Sequence, residues 1–332
     1  MRNSAVFIGV ALVLAGCGGG GGGSPDPVVP GPAQISAANY PLVAQESMST
    51  ALAVTDSALA LNVLAGAQVS RDQLALDFAR AQIPRLRAWF ASAPRLVTGA
   101  TTTTTVACDV GTMDITTNDV NNNNQPDAGD SFSLVAHNCG YAGASLNGSL
   151  AFTLNSVTGD LNTDVYSLAM AMTLTNMVVT DQTGSVTSNA SMTASIASNG
   201  VNSSSFSIST SNYTMVSTRA NVSYTRTLSN FSATQTTTPI ALGSYRVAIT
   251  ANGTVTSTGM DGKSVEFATV TPFTSNAGQS FPTSGQPIAT GASGSKIRMT
   301  ALNDGTGVLV ELDADGNGTY EASRTNRWVE LT

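Results

Sequence analysis

The chain has 332 residues and a net charge of −7, and only 11% of its residues are charged, against roughly 25% in ordinary soluble proteins. With two lysines, Lys263 and Lys296, it has no basic patch to neutralise phosphates, which excludes nucleic-acid binding. One histidine, His137, excludes a multi-histidine metal centre; there is no Walker loop or dinucleotide GxGxxG unit, and Gly291-Ala-Ser-Gly-Ser295 lacks the final glycine of a nucleophile elbow.

At the N-terminus, Arg2 precedes an apolar run that ends at Leu14. The run is too short for a membrane span, which needs roughly 20 apolar residues, and has the layout of a cleaved export signal. It closes on Leu14-Ala15-Gly16-Cys17, which resembles the lipobox of bacterial lipoproteins. The resemblance implies removal of residues 1–16, diacylglycerol on the Cys17 thiol and an acylated new amino terminus. Several acyl chains on one residue meet the requirement of two signals for stable anchoring. Gly18, where an inner-membrane lipoprotein would carry Asp, implies the outer membrane. Residues 17–33 are then the anchor and its linker: a flexible Gly18–Gly23 coil followed by an extended spacer from Pro25 to Pro32.

Residues 34–99 have a helical pattern. Ser70 and Gln73 form a capping box, and Leu74, Phe78, Ala81, Leu86, Trp89 and Phe90 make an apolar stripe that Pro84 interrupts. Such a stripe is expected to pack on the core of its own domain.

From about residue 100 to 332, Thr and Val replace helix formers and the period becomes two. Leu146, Leu150, Phe152 and Leu154 fall on one face. Tyr166, Leu168, Met170, Met172, Leu174 and Val178 repeat the alternation, as do Val222, Tyr224 and Leu228. Turns are expected at Thr158-Gly159-Asp160, Thr183-Gly184, Asn199-Gly200 and Met260-Asp261-Gly262, and short turns impose antiparallel pairing. The predicted fold is mainly β: a large curved antiparallel meander of ten to twelve strands, as a barrel, half-barrel or sandwich, with the N-terminal helices packed on it. A transmembrane barrel is disfavoured, because aromatics are only 6% of the chain, too few for two girdles. Sequons at Asn147, Asn212 and Asn252 follow from composition.

Of three cysteines, lipid on Cys17 leaves Cys108 and Cys139, which an exported chain would join as a disulfide. Between them, Asp119, Asn121, Asn123, Gln125 (through its carbonyl), Asp127 and Asp130 have the spacing of an oxygen-rich calcium loop. The loop resembles that of dockerin modules, with Asn124 where glycine is usual. A second segment, Asp313-Ala-Asp-Gly-Asn-Gly-Thr-Tyr-Glu321, resembles the DxDxNGxxE loops of extracellular calcium repeats. Its candidate ligands are Asp313, Asp315, Asn317, the Thr319 carbonyl and Glu321; Arg324 at the twelfth position excludes a complete EF-hand. Any bound calcium is expected to be structural, and both loops also suit polar turns.

These features suggest an outer-membrane-anchored lipoprotein with a non-enzymatic binding or structural role, facing the periplasm or the cell surface. Its partners would be the membrane, through lipid, and a protein or glycan. Two alternatives are an envelope-glycan hydrolase with carboxylates drawn from Asp109, Asp114, Asp160 or Asp164, and a carrier of an acyl chain or other hydrophobic ligand.

Overall fold

The computed structural model describes residues 31–59 and 101–331, apart from 124, 142–143, 161–162, 164, 183, 201–202 and 242–243. Cys17, the Gly18–Gly23 coil and the Ser70–Phe90 stripe lie outside the described residues.

The Thr- and Val-rich text forms one antiparallel sheet of fourteen strands in sequence order, which does not close on itself. The strands are β1 (Thr101–Ala107), β2 (Thr112–Asn118), β3 (Ser131–Tyr141), β4 (Ala144–Gly159), β5 (Val165–Asp181), β6 (Gly184–Asn199) and β7 (Ser204–Arg219). They continue as β8 (Val222–Ala241), β9 (Ser244–Ser257), β10 (Lys263–Asn276), β11 (Ser284–Thr290), β12 (Lys296–Ala301), β13 (Gly307–Asp313) and β14 (Ala322–Arg327). The number exceeds ten to twelve because strands such as Thr-rich β1 and polar β14 have too few apolar residues to show an alternation. The expected turns mark junctions between consecutive strands: β4 ends at Gly159, β6 runs from Gly184 to Asn199, and Met260-Asp261-Gly262 separates β9 from β10.

One face carries the core. Leu150, Phe152, Met170, Ile208, Leu228, Val255, Ile297 and Val310 are buried, while Ser, Thr and Asn occupy the alternate positions. The anticipated phase fails in two places. In β5 the buried residues after Leu174 are Met177 and Val179 rather than Val178, because the register slips between Leu174 and Met177. Val222 and Tyr224 are exposed, since they begin β8 at its turn, beyond the core.

The slip in β5 belongs to a seam that crosses the long strands. Asn138 in β3, Asn176 in β5 and Asn230 in β8 have φ of 52°, 45° and 49°, and each stands where the pairing register shifts. Between β6 and β7 the register shifts again, and the Thr210 hydroxyl donates to the Ser191 carbonyl at 2.9 Å. Each is a bulge, an extra residue that bends its strand and increases the local twist. Asparagine tolerates the left-handed backbone, and asparagine side chains also satisfy the freed amides. Asn138 N–H donates to Asn147 Oδ1 and Asn176 N–H to Asn189 Oδ1, both at 2.7 Å. Gly148 (φ 100°) faces Asn176 so closely that a Cβ there would lie 2.1 Å from the Asn176 carbonyl oxygen.

Two α-helices are described. Helix α1 (Tyr40–Leu59) buries Tyr40, Val43, Ala44, Ser47 and Met48, a helical stripe, and packs mainly on β8 and β9. The C-terminal turn α2 (Trp328–Leu331) packs on α1. Trp328 stacks on Phe281 and meets the edge of Phe273, both at 5.8 Å between ring centroids. No described helix is long and apolar enough to cross a membrane.

Candidate functional site

Strand direction alternates, so connections after odd-numbered strands share one end of the sheet and those after even-numbered strands the other. The Asp119–Asp130 loop joins β2 to β3, and the Asp313–Glu321 loop joins β13 to β14. They therefore sit at opposite ends, near opposite edges. The Cys108–Cys139 disulfide is formed, with Cα atoms 5.3 Å apart. It joins the β1–β2 turn to β3, so it braces the end of the β2–β3 hairpin remote from the first loop.

In the first loop the oxygens converge on the loop's own donors. Asp119 Oδ1 accepts from Asn122 N–H at 2.6 Å, Asn121 Oδ1 from Asn123 N–H at 3.1 Å, and Asn123 Oδ1 from Gln125 N–H at 2.7 Å. The Asn121 amide donates to Asp127 Oδ2 at 2.7 Å, and the Asn123 amide donates to the same oxygen. Asp130 is fully buried and accepts from Val120 N–H at 2.9 Å and Asp127 N–H at 2.7 Å. Burial pushes its carboxyl above the usual range; those amides oppose the shift, and Asp119 and Asp127 reinforce it. Asn121, Asn123 and Asp127 are thus joined to one another, and Asp119 and Asp130 are bonded to backbone amides of the same turn.

The second loop gathers carboxylates. Asp313, Asp315 and Glu321 each place an oxygen within 4.8 Å of the others, the one such group of acidic, histidine or cysteine residues among the described residues. Buried Asp313 accepts from Gly316 N–H and Gly318 N–H, both at 2.8 Å, and Lys296 Nζ lies 3.2 Å from its Oδ2. Burial alone would raise its carboxyl, but the Gly318 amide, Lys296 and the Gly316 amide outweigh burial and hold it below the usual range. Asn317 donates from its side chain to Asp315 Oδ2 at 2.9 Å, and Thr319 N–H donates to Asn317 Oδ1 at 2.7 Å. Glu321 Oε2 accepts from Ala314 N–H at 3.0 Å. The segment before α1 reaches this loop: Gln34 Nε2 donates to the Ala314 carbonyl at 3.2 Å.

The hydrolase carboxylates differ in their surroundings. Asp109 and Asp160 are exposed, and Asp164 lies outside the described residues. Asp114 is flanked by Thr105, whose hydroxyl donates to Oδ1 at 2.6 Å, and by His137 Nε2, 3.0 Å from Oδ2. Both partners hold its carboxyl below the usual range, the Thr105 hydroxyl most. The carboxylate stands between hydroxyl and imidazole, so His137 is not placed to deprotonate Thr105; nucleophilic triads put the histidine in the middle.

Two clusters have no counterpart in the sequence reading. Glu46 of α1 is buried and accepts from Arg226 Nε at 2.7 Å and Nη2 at 3.1 Å, and from the Ser257 hydroxyl at 2.7 Å. Its signal in the sequence is a lone carboxylate within the stripe Val43, Ala44, Ser47 and Met48. On the polar face, Arg298 of β12 makes a two-point pair with Glu311 of β13, at 2.8 and 2.9 Å, and its guanidinium lies 4.0 Å from the Tyr320 ring centroid. The central strands also present a shallow hollow of about 390 Å³, lined mostly by polar-face residues such as Thr193, Ser195, Ser207, Ser209, Ser232 and Thr234.

No protein-family model matches the chain, and no curated protein or solved structure does either.

Proposed function

We propose that this chain is a lipoprotein of the bacterial cell envelope, anchored in the outer membrane through Cys17, whose open sheet serves as a non-enzymatic binding or structural module. The observation that carries this reading is the Leu14–Cys17 lipobox behind a charged and apolar leader. A disulfide suits an exported chain. A hydroxyl-covered face with few charges suits a protein or glycan partner that is recognised through neutral hydrogen bonds. Cys17→Ser should move the protein from the membrane fraction to the soluble fraction. Membrane association that persists in that variant would defeat the reading.

The same reading assigns a structural calcium ion to the second loop, held by Asp313, Asp315 and Glu321 with Asn317 and the Thr319 carbonyl. The triple of carboxylate oxygens supports it, and hard oxygen ligands are what calcium takes. Lys296 competes for Asp313, so binding should be modest and should rearrange that contact. The full chain should melt several degrees higher in calcium than in chelator, and Asp315→Asn should remove the difference. Identical melting curves would reduce the segment to a turn.

A further inference from the structure

The two edges of the open sheet are built differently. At β14, Arg324 pairs with Val310, a core residue, so a charged side chain stands on the apolar side of the edge. Arg327 is tied to Glu330 of α2 at 3.0 Å. An inward-pointing charge is one of the usual ways to stop an edge from accepting another strand. Among the described residues, strand β1 carries no such device. Its sequence is five threonines, Val106 and Ala107, with no charge and no proline, and it is exposed along nearly all its length. Its ladder with β2 runs without a bulge from Thr101↔Asn118 to Ala107↔Thr112. Among the described residues, no strand pairs with its outer side.

This bare edge is nevertheless held in place. The disulfide fastens Cys108, the next residue, to β3. The Thr103 and Thr116 hydroxyls are bonded at 2.9 Å, and Thr105 bonds Asp114 at 2.6 Å. An uncharged, braced row of backbone donors and acceptors that no described strand pairs is a template for strand addition.

We propose that the β1 edge docks a second copy of this chain, β1 against β1 in antiparallel register about a two-fold axis at Thr104. Charge selects this occupant. The chain carries −7 overall, yet two copies meeting here bring no like charges together. In that register Thr103 stands opposite Thr105 of the other copy, a favourable cross-strand pair. The symmetry closes at two copies, and the blunted β14 edge prevents growth by β1-to-β14 addition. Seven residues span about 24 Å and bury less than the roughly 1,200 Å² of stable specific complexes. The association is therefore weak and reversible, with a dissociation constant of roughly 10–100 µM.

Sedimentation equilibrium of the full chain in density-matched detergent, from about 1 µM to 1 mM, tests the proposal. The expected result is a monomer–dimer equilibrium that stops at the dimer. Thr103→Lys with Thr105→Lys places lysine against lysine twice and should weaken the dimer roughly ten- to thirtyfold. Thr103→Glu with Thr105→Lys places opposite charges across the axis and should restore it. A monomer at every concentration, growth beyond the dimer, a dimer indifferent to the double lysine, or a loss that the mixed-charge variant does not restore would each overturn the proposal.

Discussion

Under α1 the sheet is held by a second layer of structure, whereas the middle strands β3–β7 are shaped by irregularities within the sheet itself. The α1 side has mostly short strands after β10, an aromatic cluster around Trp328 and a buried ion pair between Glu46 and Arg226. The middle has strands of 16 or 17 residues in β4 to β7, each crossed by the asparagine and glycine seam. A straight strand of that length cannot keep one side packed around a curved core, and bulges let it bend while most of its ladder stays paired. Anchoring by a layer depends on a few strong contacts; shaping by bulges depends on many weak ones. The two regions should therefore respond differently to single substitutions.

The largest effect is expected on the α1 side. Arg226→Ala leaves Glu46 buried with only Ser257 and any lesser contacts for its charge, and breaking a buried pair from one side costs about 3–5 kcal/mol. Urea unfolding at pH 7 measures it; a loss below about 1 kcal/mol would mean that the pair behaves like a surface one. The pH dependence should change sign as well. In the native chain burial alone would raise the Glu46 carboxyl, but the Arg226 and Ser257 bonds win and hold it below its ordinary value. A carboxyl lowered in the folded state contributes stability that is present above the unfolded value, about 4.5, and lost as pH falls through the folded one. Without Arg226, burial dominates and the carboxyl rises, so relative to the native chain the variant should regain stability as pH falls from 7 towards 5. Parallel profiles for the two proteins would exclude Glu46 as the group responsible.

The contrast also explains what the sequence revealed. Period-two alternation was enough to identify an antiparallel meander, because residues such as Met170, Met172 and Leu174 have one buried side and nothing else to satisfy. It lost phase at Val178 because a bulge is a single extra residue, and Asn176 looks like any other polar-face asparagine. Asn147 has the same ambiguity: as a sequon it follows from composition, yet its side chain accepts the Asn138 amide. The oxygen spacings of the two loops were legible; in the second, Asp313, Asp315 and Glu321 lie together, and in the first Asp127 accepts from Asn121 and Asn123. Whether those oxygens face one another, as in Asp313, Asp315 and Glu321, or face local amides, as in Asn121 and Asn123, depends on backbone turns that spacing alone does not determine. Glu46 was hidden for another reason: its partners Arg226 and Ser257 lie 180 and 211 residues away.

Within the seam the effects should be smaller and graded by what each residue touches. Gly148→Ala has to place a methyl group against the Asn176 carbonyl at a φ of 100°, and about 2–4 kcal/mol should be lost through strain and displaced backbone. Gly278 supplies the control: its φ is 85°, but nothing lies within 4 Å of a Cβ there, so Gly278→Ala should cost only about 1 kcal/mol. The difference between the two isolates the close approach of β4 to β5. Asn189→Ala is gentler still; it removes the acceptor of the Asn176 amide and should cost about 1 kcal/mol. Because Gly148 and Asn189 flank one bulged residue from its two neighbouring strands, their losses should not add. Once one side of the Asn176 bulge has relaxed, the other has less to lose, and the double variant should fall short of the sum by at least about 0.5 kcal/mol. Simple additivity in urea unfolding, or equal losses at Gly148 and Gly278, would mean that the bulges are independent irregularities and that the middle strands owe their shape to the covering of their apolar side.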